Sequence, residues 1–358
     1  MNFRLNEDQQ QLQSAIARIL GAEKVHTRLR AVIDGKAAWD KETWQELVEF
    51  GLPALIVPEE YEGMGLTMIE LAVCAEELAR SGAPVPFLGH ALATVALVYG
   101  GSEEQKQRLL PKLASGELLA TVALSDVNRT WGPGEWKMTP SGGTISGRKI
   151  NVPFGDIADI VVVGLAGGQL GVVETAGVVT WESMDGVDTT RPIFAGEFAN
   201  AKVELLGDGP AGAGRMQDAA LTLLAADAFG GSDHLLHMTS EYLKMREAFG
   251  AKLAEFQGIK HQLANLELNI EPTRGLYWYA AYAFARLPDK ASHAAAIAKA
   301  QTAEVFIEAG RACTELHGGI GFTWEYDSHI WLKRAMFDFS WGGTPQSHFI
   351  RAADLAGW

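Results

Sequence analysis

Few side chains in this sequence combine a reactive type with surroundings that would make the reactivity useful. Asp227, in "LLAADAFGG", is a carboxylate in an apolar helical stretch, where burial without a partner is costly. It is either a proton acceptor or a hydrogen-bonded structural group, and the structural role is the plainer reading. Arg246, in "MREAFGAK", carries a planar fork suited to two parallel hydrogen bonds with a phosphate; the alternative is a solvated helix face. Gly318 and Gly319, in "LHGGIGF", either end a helix or leave bare backbone that a ligand can approach. The loop "FSWGGTPQSH" has the frame of a site loop, but Gly342 and Gly343 at its centre bring no side chain. Beside them Thr344 caps the last helix or, with Gln346, meets a ligand. The nine His are scattered, and neither Cys-x-x-Cys nor His-Glu-x-x-His occurs, so no metal site is expected.

Composition narrows the classes. The 358 residues, 47% hydrophobic and 21% charged, suit two or three units sharing a core. No apolar run reaches the roughly 18 residues of a membrane span. The opening "MNFRLNEDQQ" lacks a signal-peptide apolar region, so a cytoplasmic protein is expected. The two cysteines, Cys74 and Cys313, read as buried free thiols rather than a disulfide framework. A formal net charge of -14 repels nucleic-acid phosphates and anionic lipid. A phosphorylated small molecule must then be held locally, by a few placed cations and backbone N–H groups.

The elements that must position these residues fall in three zones. Residues 1–117 are helical in pattern. "NEDQQQLQSAIARIL" starts at a candidate cap, Asn6; "KETWQELVEFGL" ends at Gly51; "TMIELAVCAEELARSG" ends at Gly82. Between the last two, "ALIVPEEYEGMGL" is a loop. Residues 118–208 hold short β-branched runs such as "DIVVVGLAG" and "QLGVVET", which read as an antiparallel β-domain without a helix of its own. Residues 209–358 return to long alanine-rich helical patterns that suit a packed bundle. The fold class is α+β: an N-terminal helical domain, a central β-barrel-like domain and a C-terminal four-helix bundle.

In that order and spacing, four stretches carry a resemblance to the acyl-CoA dehydrogenase family. "PEEYEGMGL" is similar to the family's Pro-Glu-x-x-Gly-Gly-x-Gly loop. "YLKMREAFGAKLAEFQGIKHQLANL" resembles its Arg-x-x-Phe-Gly-x-x-x-x-x-Phe-Gln helix pair. "LHGGIGFTWEYDSHIWLKRA" resembles its His-Gly-Gly-x-Gly-Phe-x-x-Glu-Tyr turn, and "WGGTPQSH" stands where it has Tyr-Glu-Gly-Thr-x-Gln. The resemblance implies the family's fold, FAD as cofactor and an acyl-CoA substrate. A carboxylate removes the α-proton of the thioester while the flavin accepts hydride from the β-carbon.

Carried over residue by residue, the resemblance implies that Arg246, Phe249 and Gln257 hold the FAD of a neighbouring subunit. Leu316, Gly318 and Gly319 line the approach of the dinucleotide, and Thr344 and Gln346 stand near the flavin. The catalytic Glu of most members falls on Gly342, and that of a minority on about Ala220; neither residue accepts a proton. Asp227 lies two turns beyond Ala220 on the same face, roughly 10 Å along the axis. The family's Thr-Glu-x-x-x-Gly-Ser-Asp segment survives only as Ser125 and Asp126, and its Trp-x-Thr strand reads Asn151, Val152, Pro153. The half that reaches into a neighbour's FAD is kept and the ring-binding half is degraded.

That asymmetry resembles the catalytically reduced subunits of heterotetrameric acyl-CoA dehydrogenases of bacterial steroid side-chain breakdown. The expectation is a subunit that completes a homologous partner's FAD site, with room for a bulky or steroid-derived acyl group. Two alternatives stand beside it: a self-sufficient homo-oligomeric enzyme with a displaced carboxylate base, and a non-enzymatic scaffold on the same fold.

Overall fold

The computed structural model describes residues 4–21 and 23–358. Its helices and strands are, in order, α1 (Glu7–Leu20), α2 (Glu23–Ile33), α3 (Lys41–Phe50), α4 (Met68–Ser81), α5 (Phe87–Gly100), α6 (Glu103–Ala114), β1 (Ala120–Ala123), β2 (Ser125–Asp126), β3 (Thr144–Pro153), β4 (Ile160–Leu165), β5 (Gln169–Glu174), β6 (Val179–Met184), β7 (Ile193–Lys202), β8 (Glu204–Leu205), α7 (Gly209–Met245), β9 (Glu247–Ala248), β10 (Ala251–Lys252), α8 (Gln257–Arg286), α9 (Pro288–Leu316), α10 (Ser328–Ser340) and α11 (Pro345–Ala356).

Local chemistry sets the helix ends. Asn6 caps α1 in a capping box: its side chain accepts from the Gln9 N–H, and Gln9 returns a bond to the cap backbone. Gly51 ends α3 and Gly82 follows α4, both at positive φ, as the sequence indicates. Thr344 accepts from the Ser347 N–H and starts α11.

Packing groups the residues in two compact units. One comprises Arg30–Leu71 and Pro84–Ala220; the other comprises the chain up to Leu29, Ala72–Ala83 and Leu221–Trp358. Helices α2, α4 and α7 contribute residues to both.

The first unit holds two four-stranded sheets, ordered β1-β4-β5-β8 and β2-β3-β7-β6. Their inward residues form one core that includes Val161, Val163, Val173 and Phe198. One pairing departs from the expected antiparallel domain: β1 runs parallel to β4, with Ala120 opposite Ile160. Parallel strands need a long crossover, and here β2 and β3 of the other sheet supply it. Between Ala120 and Leu205 the helical segments among the described residues are short 3₁₀ turns.

In the second unit α9 packs against α8, α10 and α11. Its alanines bring backbones close: Ala295 and Ala296 meet Leu221 of α7 and Ala352 of α11 in one buried cluster. Among the described residues no helix is long and apolar enough to cross a membrane.

Candidate functional site

Helix α7 ends where the Arg246 N–H bonds the Tyr242 carbonyl, about 3.6 residues per turn having carried both to one side of the helix terminus. A two-residue turn, Phe249–Gly250, then joins β9 to β10, and both of its residues sit at positive φ, 57° and 83°. That conformation suits Asn-Gly. A phenylalanine there is strained, and its ring makes no compensating burial: Phe249 is 94% exposed, in edge contact only with Phe256 at 6.4 Å.

The end of α9 faces this hairpin across a cavity of about 690 Å³. Arg246, Phe249, Leu316, Gly318 and Gly319 all line it, with Tyr242, Gln262, Glu315 and His317. The Arg246 guanidinium has no ion pair or hydrogen bond to the described residues. A Cβ at Gly318 or Gly319 would meet nothing within 4 Å, so the backbone is open on that side, and Gly318 takes φ 65°. His317 frames the wall. Its Nδ1 lies 2.7 Å from the Cys313 carbonyl and so carries the proton; its Nε2 accepts the Tyr326 hydroxyl at 3.1 Å. Burial pushes the His317 pKa down, keeping the ring neutral. Tyr242 lies over it at 4.6 Å and donates to its carbonyl at 3.3 Å.

The cavity therefore offers a free guanidinium for a phosphate, an exposed aromatic ring for a base, open backbone between them, and a carboxylate, Glu315, for hydroxyl or amino donors. Sequence reasoning missed Tyr242, Gln262 and Glu315. Tyr242 stands one helical turn before Arg246, and Glu315 adjoins Leu316, so helix geometry around the matched residues could have found both. Three expected residues lie elsewhere. Gln257 is the first residue of α8 and is not in the lining, while Thr344 and Gln346 belong to the first turn of α11.

The stretch expected to hold a base is built differently. Gly342 and Gly343 take φ 76° and 111°. The buried Lys299 ammonium donates to the Asp338 carbonyl and, at 3.3 Å, to that of Gly343. His348 Nε2 donates to the Gly342 carbonyl at 3.0 Å, and burial, with Lys299 nearby, pushes its pKa down to about 4. A Cβ at Gly342 would sit 3.4 Å from Leu224. Ala220 is a buried methyl group. Asp227, the remaining candidate base, is clasped by Arg334: Nε donates to Oδ1 at 2.8 Å and Nη2 to Oδ2 at 2.5 Å. Both side chains are buried, so Asp227 is half of an internal ion pair.

Two family descriptions match the sequence: the acyl-CoA dehydrogenase N-terminal domain over residues 6–117 and the C-terminal domain over residues 218–354. A solved variant of the Tcur3481-Tcur3483 steroid ACAD is 31% identical, covers 98% of both chains and superposes with a TM-score of 0.89. The chain belongs to the acyl-CoA dehydrogenase family. Acyl-CoA dehydrogenase IpdE2 of Mycobacterium tuberculosis is 29% identical over 335 residues, 92% of this chain and 91% of that protein. Butyryl-CoA dehydrogenase from Megasphaera elsdenii, 24% identical over the full length of both chains with a TM-score of 0.90, shares the fold. FAD is the cofactor that goes with this family.

Asp126 is engaged internally: it pairs with the buried Lys149 ammonium at 2.8 Å and accepts from the Lys137 N–H at 2.8 Å. The Ser125 hydroxyl donates to the Asp126 carbonyl at 3.2 Å. Asn151 sits at φ 57° where the β3–β7 register shifts, and Pro153 closes β3 without an N–H. The polar groups that the sequence keeps here bond their own domain.

Proposed function

We propose that this chain is a subunit of an FAD-dependent acyl-CoA dehydrogenase that supplies the adenine and pyrophosphate side of a shared FAD site to a homologous partner. The observation that carries the reading is the division of labour within one chain. Arg246, Phe249, Leu316, Gly318 and Gly319 meet at one open cavity with an unengaged guanidinium, while Gly342, Ala220 and the clasped Asp227 offer no base. Arg246 would take the pyrophosphate bidentately and Phe249 would cover the adenine, with the phosphate approaching the bare backbone at Gly318 and Gly319. Gln257, Thr344 and Gln346 would contact the cofactor from outside this cavity.

When bound, FAD supplies a hydride acceptor for α,β-dehydrogenation. The proton acceptor belongs to the partner chain, because the positions that carry it in the family are Gly342 and about Ala220 here. The likeness to the steroid ACAD and to IpdE2 supports a bulky, steroid-derived acyl-CoA as substrate.

The test is flavin absorbance and acyl-CoA oxidation for the purified chain alone and co-expressed with a family member that has the catalytic Glu. The expected result is little flavin and no oxidation alone, and one FAD for every two chains with turnover in the mixed complex. A lone chain saturated with FAD and oxidising acyl-CoA would overturn the reading.

A further inference from the structure

The Arg246 cavity faces two ligands that are alike at one end. In an FAD-dependent acyl-CoA dehydrogenase the cofactor and the thioester both carry an adenosine diphosphate group. The coenzyme A group differs there by one phosphate, on the ribose 3′-oxygen. A guanidinium and an aromatic ring do not separate the two, since each offers a diphosphate to Arg246 and a base to Phe249. What separates them is the charge on the rest of the wall.

That wall has two electrical ends. Arg246 carries the positive charge of the lining and Glu315 the negative one, while burial keeps His317 neutral. Helix α8 begins beside Arg246. The Leu253 N–H donates to the Arg246 carbonyl at 2.9 Å, and the Phe256 N–H donates to the Leu253 carbonyl at 3.2 Å. Phe256 is the α8 cap and makes no side-chain bond to the first turn, and Ile259 of that turn lines the cavity. The positive pole of a 30-residue helix therefore adds to Arg246. Helix α9 finishes at the other end, with Leu316 its last residue, and its negative pole adds to Glu315. Glu315 is exposed and has no hydrogen bond or ion pair to the described residues, so no neighbour neutralises it. A cavity of about 690 Å³ is about as wide as the roughly 8 Å over which physiological salt screens a charge, so Glu315 acts on whatever charge fills it.

We infer that Glu315 is a specificity-determining residue of this cavity: it admits an adenosine diphosphate group whose ribose hydroxyls are free, as in FAD, and excludes the 3′-phosphorylated form that coenzyme A carries. A carboxylate accepts hydrogen bonds from hydroxyl and amino groups and repels a phosphate monoester, which bears roughly two negative charges at pH 7. Arg246, the cation of the lining, is already taken by the diphosphate, so the extra phosphate meets the negative end uncompensated. The head group of the substrate then does not compete for the place of the cofactor. This role rests on the cofactor reading above, whose own failure gives a different result below.

Dephospho-coenzyme A and coenzyme A differ by that phosphate alone. ADP is the probe, followed by saturation-transfer NMR on the full chain, which reads the weak binding expected of half a site. An ADP signal that is lost in Arg246→Ala places ADP in the cavity. Absence of an Arg246-dependent signal overturns the cofactor reading and the role of Glu315 with it. Against ADP held there, dephospho-coenzyme A is expected to compete at a concentration about tenfold lower than coenzyme A. In Glu315→Gln, which keeps the shape and removes the charge, the two should compete within about threefold of each other, because coenzyme A is no longer repelled. Glu308→Gln makes the same charge change on an exposed residue of α9, about 10 Å before Glu315, and should leave the tenfold ratio in place. Equal competition by the two in the unaltered chain, an undiminished ratio in Glu315→Gln, or an equal loss of the ratio in Glu308→Gln overturns the role of Glu315 and leaves the cofactor reading standing.

Discussion

The cavity under Arg246 and the stretch around Gly342 occupy the same compact unit and treat polar groups in opposite ways. Under Arg246 a guanidinium has no partner, an aromatic ring is held in the open on strained backbone, and two glycines face space. Around Gly342 the polar groups point at the protein itself: Lys299 and His348 hold the loop carbonyls, and Arg334 holds Asp227. Polar groups open to water at a surface cavity are available to a ligand, whereas groups satisfied in the interior hold the chain together. The loop at Gly342 is well built, and what it is built for is packing.

If that contrast is right, breaking the interior should cost stability and breaking the cavity should cost binding. The largest effect is expected from Arg334→Leu, which strips a buried carboxylate of its bidentate partner. Unfolding by urea should show a loss of about 3–5 kcal/mol. Arg334→Leu with Asp227→Leu should recover much of it, since the pair is then replaced by apolar side chains of similar bulk. If Asp227→Asn abolished turnover of the mixed complex while leaving stability intact, the structural reading of Asp227 would fail.

Next comes a pH effect at the loop. His348 titrates at about 4 in the folded chain, below its ordinary value of 6.5. Between these values the unfolded chain binds a proton that the folded chain does not. The contribution is therefore complete above about pH 6.5 and is lost as pH falls towards 4, by roughly 3 kcal/mol at most. His348→Gln retains a donor for the Gly342 carbonyl and should flatten this part of the acid-side loss. An unchanged profile in that variant would remove the loop from the pH response.

The cavity should answer in the other currency. Arg246→Ala is expected to leave the unfolding curve of the lone chain within about 0.5 kcal/mol of its starting value, as for an exposed side chain without partners. In the mixed complex it should weaken FAD retention by roughly 1.5–3 kcal/mol, about 10- to 150-fold. Dialysis followed by flavin absorbance measures this. Unchanged retention would favour a scaffold over a cofactor-holding subunit.

How much of this could be read beforehand depended on the range of the interactions. The caps at Asn6 and Thr344 and the stop at Gly51 were legible because their partners lie within four residues. The matched residues Arg246, Phe249, Gly318 and Gly319 were legible as a set, and the structure brings them to one cavity although α8 and α9, of 30 and 29 residues, separate the two halves. The parallel pairing of β1 with β4 was not legible, because each strand is short and its partner is chosen by the fold. Nor was the Asp227–Arg334 pair, whose members stand 107 positions apart. An isolated carboxylate in an apolar stretch announces that it needs a partner without saying which.

The smallest expected effect is the most direct probe of the contrast, because its two halves have opposite signs. Phe249 holds φ 57° with its ring 94% exposed. Left-handed backbone at a bulky residue costs of order 1 kcal/mol, and asparagine tolerates that region readily. Phe249→Asn should therefore stabilise the lone chain by about 1 kcal/mol, since the turn relaxes and almost no burial is lost. In the mixed complex the same change should weaken FAD retention, because the ring that the strain holds outward is gone. A change that helps the protein alone and harms it in the assembly identifies strain kept for a ligand. Stabilisation in both settings would mean that the ring contributes nothing to the cofactor, and destabilisation in both would mean that its contact with Phe256 matters more than its backbone.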